Sequence, residues 1–173
     1  MPVALPLVTP RLTLRAFVPG DQAAMQRIYA DPLVMLHIDT RGEDPSTWVA
    51  AYIRHQRDHG YGFWAVEERA TGELIGEAGL APFDGHGPQL ELGYLLRRDR
   101  WGRGLATEAA AACRDAALCQ LGADELLAVV DVGNDASLRV AQKLGFEVTG
   151  RRRRHGRHQH VLRLEAAADY ATS

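Results

Sequence analysis

The chain has 173 residues, 46% hydrophobic and 24% charged, with a formal net charge of −2 from 20 Lys+Arg against 22 Asp+Glu. That is ordinary globular composition with enough apolar mass for a core, so one domain is expected. The charge balance gives no strong global field to recruit nucleic acid or membrane, and no apolar run nears the roughly 20 residues of a membrane span.

In chain order, Leu12–Phe17 alternates apolar and polar residues and predicts a half-buried strand. Pro19-Gly20-Asp21 ends it and offers Asp21 as N-cap for a helix through about Ala30. A second helix is expected from Asp44-Pro45-Ser46 to Gly60, carrying Trp48, Tyr52 and Ile53. Strands from Gly62 to Glu68 and from Glu73 to Ala81 flank a Thr71-Gly72 turn. After a loop rich in Gly and Pro comes the strand Leu90–Leu96, with Gly93 in its interior, a mark of a bulge or close backbone approach.

A long alanine-rich helix runs from about Leu105 to Leu121, with Gly122 as its C-terminal cap. Its two cysteines, Cys113 and Cys119, face different directions and do not bridge, so a reducing cytoplasm is the simplest setting. The N-terminus has prolines and no basic stretch before an apolar core, so it does not read as a signal peptide. A buried strand from Glu125 to Val130, a short helix capped by Asn134 or Asp135, and strands near Phe146–Arg151 and Gln159–Glu165 complete the pattern. Hairpins come first, then strands alternating with helices. The expectation is a mixed α/β (α+β) fold, with about seven strands, mostly antiparallel, and about four helices.

The sharpest local signal lies between strand and alanine-rich helix: Trp101-Gly102-Arg103-Gly104-Leu105-Ala106-Thr107-Glu108. Amides in the first turn of a helix lack intrahelical partners, and the helix dipole places partial positive charge there. Glycines let a ligand approach the backbone, which makes a phosphate or pyrophosphate cradle; Arg98, Arg100 and Arg103 are available as countercharge. A plain tight turn is the competing reading. The chain has no Gly-Lys-Ser/Thr triplet for a P-loop, and Thr107 stands where the dinucleotide fingerprint needs its third glycine.

The turn is one of a set. Leu92-Gly93-Tyr94-Leu95-Leu96, then Trp101–Ala109, Asn134-Asp135-Ala136-Ser137 and Lys143-Leu144-Gly145-Phe146 follow in order. This run resembles the GNAT superfamily of N-acetyltransferases, and within it the N-terminal acetylases of ribosomal proteins. Thr9–Arg15 is similar to that subgroup's first strand. The resemblance spans nearly the whole chain. The family's coenzyme loop has the form Gln/Arg-x-x-Gly-x-Gly/Ala; Gly104 and Ala106 match it, and Trp101 departs from it.

The resemblance implies acetyl-CoA as cosubstrate and no metal. It implies that amides of Gly102, Arg103, Gly104, Leu105, Ala106 and Thr107 hold the pyrophosphate. The strand edge at Leu95 and Leu96 would pair with the pantetheine arm, with the Leu95 amide on the thioester oxygen and Asn134 on the arm. Ser137 would protonate the leaving thiolate, directly or by holding a water, and Glu91 would act as base through water, with a plain surface strand carboxylate as its competing reading. The implied reaction transfers acetyl to a primary amine by direct attack in a ternary complex. A protein N-terminal α-amine, a lysine, an amino acid, a polyamine and a drug amine are the acceptors in view. A non-catalytic acyl-CoA-binding protein is the alternative. A homodimer is left open.

Arg151–Arg154, with His155, Arg157, His158 and His160, is the most basic stretch. A solvated hairpin is favoured there over acceptor recognition, RNA phosphate binding or a metal site. Trp48, Tyr52, Phe63 and Trp64 read as core or as acceptor-pocket wall.

Overall fold

The computed structural model describes residues 1–40 and 42–166. Among the described residues eight strands form one sheet: β1 (Leu7–Val8), β2 (Leu12–Arg15), β3 (Phe63–Glu68), β4 (Glu73–Pro82), β5 (Leu90–Leu96), β6 (Glu125–Asp131), β7 (Glu147–Arg154) and β8 (Arg157–Glu165). Their order is β1-β2-β3-β4-β5-β6-β8-β7. Every pairing is antiparallel except β5–β6, which is parallel and registered only at Leu90↔Leu126 and Glu91↔Leu127. The described residues also form five α-helices: α1 (Gln22–Tyr29), α2 (Pro32–Met35), α3 (Trp48–His59), α4 (Leu105–Asp115) and α5 (Asp135–Lys143). The architecture is the expected mixed, mostly antiparallel sheet with flanking helices, plus the two-residue β1 and the one-turn α2, both too short for a periodic signal.

Strand alternation assigns the two faces. Leu12, Trp64, Val66, Ala78, Leu80, Leu92 and Leu96 point to the face covered by α4, whose Ala109, Ala110 and Cys113 are fully buried. Small side chains on α4 let it lie close to the sheet. Ala65 and Leu95 point the other way and pack with Met25, Ile28, Tyr29, Trp48 and Val49 from α1 and α3.

Helix boundaries follow their caps. Asp44 accepts from the Ser46 amide at 2.9 Å and opens a 3₁₀ turn leading into α3, and Gly60 ends α3 at φ 76°. Asp21 does not cap α1 with its side chain. It is drawn instead into a bidentate pair with Arg15 at 2.8 and 2.9 Å, and it accepts from the Val18 amide. The long alanine-rich helix changes to a π-helical turn over Ala116–Gln120 before Gly122.

Candidate active site

Beyond Glu91 the strands β5 and β6 part. What faces that gap follows from the phase of the ladders. Arg97 N–H donates to Ile75 O and Phe83 N–H to Gln89 O, both at 2.8 Å, in register with the β4–β5 pairs. Odd-numbered residues of β5 therefore bond to β4, and the even-numbered Leu92, Tyr94 and Leu96 turn their peptide groups toward the gap. This corrects the expectation for Leu95: its amide lies inside the β4–β5 ladder, opposite Glu77. The Leu96 carbonyl accepts from the Trp101 indole N–H at 2.8 Å, which leaves the amides of Tyr94 and Leu96 as donors at the opening. Pairing period, not residue type, decides this, so only a known register reveals it.

The turn before α4 has the cradle form. Gly102 and Gly104 adopt φ 72° and 76°, the left-handed region that favours glycine. A Cβ built on Gly102 meets nothing within 4 Å, so the space before the turn is open. Gly104 is the N-cap residue and brings no side-chain hydrogen bond to the first-turn amides. The turn is braced from behind: Glu108 accepts from Thr9 Oγ1 (2.6 Å), Arg11 N (2.8 Å) and Arg11 Nε (2.6 Å), and Arg11 Nη1 donates to the Arg103 carbonyl at 2.8 Å. The nearby arginines are engaged elsewhere. Arg100 and Arg103 pair with Glu68, and Arg98 pairs with Asp31. They serve the turn's scaffold, which a sequence without contacts does not disclose.

A cavity of about 470 Å³ opens beside the gap. It brings together Glu91, Leu95, Asn134 and Ser137; Leu96 and the Gly102–Thr107 turn lie outside its lining. Asn134 Oδ1 accepts from the Ser137 amide at 3.1 Å, so its oxygen caps α5. The Tyr94 hydroxyl donates to the Ser137 carbonyl at 3.1 Å and lies 2.8 Å from Ser137 Oγ. Burial pushes the Tyr94 phenol up to about 12, so it stays protonated at neutral pH. Tyr94 and Ser137 approach from the α4–α5 face. Glu91, an odd-numbered neighbour on β5, lies on the opposite face.

Sequence reasoning passed over Tyr94 and Glu77. Glu77 is 4% exposed and lines the same cavity. It accepts from Tyr29 Oη at 2.5 Å and from Tyr52 Oη at 3.2 Å, and burial raises its carboxyl to about 7. A lone acid inside the apolar run Leu74–Leu80 was the signal available. Trp48, Tyr52 and Phe63 line the cavity as expected of a pocket wall, whereas Trp64 is fully buried core. The arginine stretch divides by alternation. Arg152 and Arg154 turn inward to Asp84 and line the cavity, and Arg151 and Arg153 face solvent.

Residues 11–147 match the family model of the GNAT acetyltransferase domain. YkkB of Bacillus subtilis, a protein of uncharacterised function, is 35% identical over 144 residues, 81% of this chain and 84% of that protein. An acetyltransferase structure from Agrobacterium tumefaciens superposes with a TM-score of 0.80 at 32% identity, covering 94% of this chain and 95% of that one. The structure of YncA from Salmonella typhimurium with acetyl-CoA gives 0.72 at 26% identity, covering 91% and 96%. The parted strands, the glycine turn at the head of α4 and a model match over most of its length make this chain a member of the GNAT acetyltransferase family, whose cosubstrate is acetyl-CoA.

Proposed function

We propose that the chain transfers the acetyl group of acetyl-CoA to a primary amine by direct attack in a ternary complex. The observation that carries this reading is the gap between β5 and β6, with Ser137 and Tyr94 on one face and Glu91 on the other. The residues fit the cosubstrate. First-turn amides of α4 suit the diphosphate, and the outward peptide groups of Leu92, Tyr94 and Leu96 suit an extended arm laid along β5. Acetyl-CoA, when bound, supplies the activated acyl group.

The chain's own residues then divide the work. The Tyr94 or Leu96 amide donates to the carbonyl oxygen as negative charge grows there; such a donor is worth roughly 2.7–4 kcal/mol in favourable cases. Glu91 receives the ammonium proton through water, leaving a neutral amine to attack. Ser137 donates toward the departing sulfur, and Tyr94 holds the Ser137 side chain in place. Asn134 keeps its side-chain N–H₂ for the arm while its oxygen caps α5.

The acceptor enters the cavity from the face of α3. A protein N-terminal α-amine is one form of acceptor, in keeping with the motif resemblance. The cavity's wall of Trp48, Tyr52, Phe63 and buried Glu77 favours a free small amine over a chain terminus. The test is thiol release from acetyl-CoA against a panel of peptides, amino acids and polyamines. Amine-dependent release supports the reading. Coenzyme binding with no turnover across the panel replaces it with a non-catalytic acyl-CoA-binding protein.

A further inference from the structure

One end of the cavity holds a buried acid without a basic partner. Glu77 takes hydroxyl donors from Tyr29 and Tyr52, and among the described residues no Lys, Arg or His forms an ion pair with it. Burying a carboxylate is costly unless a countercharge or strong hydrogen bonds offset it. Each carboxylate oxygen takes one hydroxyl, Oε2 from Tyr29 and Oε1 from Tyr52, and neither hydroxyl carries charge, so the acid is hydrogen-bonded but not neutralised and a cation brought beside it would favour its ionised form.

The surroundings indicate the kind of cation. Tyr52 stacks on Phe63 with ring centroids 5.1 Å apart, and Trp48 meets Tyr29 edge-on at 5.2 Å. Trp48, Tyr52 and Phe63 line the cavity beside Glu77. A carboxylate among aromatic rings is a site for an organic cation, which gains from both. An uncharged apolar group would find a buried acid hostile, and an anion would be repelled.

The register places this end relative to the reaction. Glu77 pairs with Leu95, and Glu91 pairs with Ala81, on the same face of the sheet. Four residues of extended strand separate the two positions, about 13 Å along β5. Between them Gly79 and Gly93 carry no side chain, and the Phe63 ring fills that floor: a Cβ on Gly93 would stand 2.7 Å from it. The cavity thus has a carboxylate at each end and an aromatic surface between.

We propose that Glu77, with Tyr29, Tyr52, Trp48 and Phe63, forms a subsite for a second, non-reacting cationic nitrogen of the acceptor, which makes the preferred substrate a linear diamine or a longer polyamine. The inference rests on the acceptor entering this cavity. The reacting amine lies toward Glu91 and the gap, and the distal ammonium lies against Glu77. Glu77 is a specificity-determining residue and takes no part in the transfer step.

The test compares three acceptors of equal chain length: an α,ω-diamine, the ω-hydroxy amine and the plain alkylamine. Their kcat/KM values are measured with the wild-type chain and with Glu77→Gln, and acetyl-CoA protection against heat checks that the variant is folded. The wild type is expected to favour the diamine over the alkylamine by tenfold or more, with the hydroxy amine between, and Glu77→Gln is expected to collapse that ratio mainly through KM. A ratio near one in the wild type overturns the subsite even if the variant fails to fold. A diamine preference that survives Glu77→Gln assigns it to another group and also overturns it. Absence of turnover with every amine instead refutes the transferase reading beneath it.

Discussion

The hydroxyls of Tyr94 and Ser137 lie 2.8 Å apart, joining the middle of β5 to the first turn of α5 across the mouth of the strand gap. Tyr94 also donates to the Ser137 carbonyl, so it fixes both the backbone and the side chain of its partner. Tyr94 has one hydroxyl hydrogen: while it lies on the Ser137 carbonyl, Tyr94 Oη accepts from Ser137 Oγ–H, and when it turns to Oγ the serine proton is released to donate.

Two residues acting as one unit give non-additive losses. Ser137→Ala is expected to lower kcat by about 10²-fold, the low end of general acid–base contributions. Tyr94→Phe lowers kcat by less, because Ser137 remains but is loosely held. The double variant falls to about the level of Ser137→Ala alone. Steady-state kinetics check this, with acetyl-CoA affinity followed in parallel. Full additivity would separate the two residues, and unchanged kcat in Ser137→Ala would remove Ser137 from the mechanism.

Gly104 joins backbone conformation to coenzyme binding. At φ 76° any L side chain is strained by roughly 1–2 kcal/mol, although a Cβ there meets only Arg11 Nη2 at 3.5 Å. Gly104→Ala therefore measures strain alone, and Gly104→Glu adds a carboxylate beside the diphosphate. The Ala variant is expected to melt a few degrees lower and still bind acetyl-CoA. The Glu variant is expected to melt similarly and lose binding. Calorimetric titration checks both, and equal affinities in the two variants would show that the turn does not face phosphate.

Local patterns carried the fold: the glycine turn, the alternation in β5 and the Asn134 cap are all encoded within a few residues, and the helices and strands stand near their expected places. Relations between distant residues were not encoded that way. Tyr94 reads as one more strand residue until α5 is packed beside it, and Glu77 reads as an ordinary acid until Tyr29 and Tyr52 arrive from two helices. Arg98, Arg100 and Arg103 look like phosphate ligands because their partners, Asp31 and Glu68, lie far away in sequence. The Leu95 amide depended on hydrogen-bond phase, which a one-dimensional pattern does not contain.

Glu77 also gives stability a dependence on pH. Its folded carboxyl is raised from 4.5 to about 7, so between those values the native state binds more protons than the unfolded chain. Stability from this group is complete below about pH 4.5 and declines as pH rises through about 7, by roughly 3 kcal/mol at most. The facing phenols of Tyr29 and Tyr52 are raised and stay protonated throughout. Asp21, Asp99 and Glu108 are lowered and titrate below this window. His55, lowered by burial, also lines the cavity, and it is unchanged in a Glu77→Gln variant. Denaturant unfolding of wild type and Glu77→Gln at pH 5 and pH 7.5 isolates the carboxyl. The wild type is expected to lose more stability between the two pH values than the variant, and parallel losses would contradict a raised Glu77.

The ladder phase makes its own prediction, testable by replacing single peptide N–H groups with ester oxygens. An ester at Leu95 removes a β4–β5 ladder bond, so it should cost about 1 kcal/mol of stability and leave kcat within a few-fold. Esters at Tyr94 and Leu96 remove donors that face the gap. They should cost little stability, and one of them should lower kcat by about 10²–10³-fold, as loss of an oxyanion donor does. Their side chains are unchanged, so Tyr94 still reaches Ser137 and the readout isolates the backbone. If the Leu95 ester alone lowers kcat, the donor lies on the other side of the strand and the gap is not where the thioester carbonyl sits.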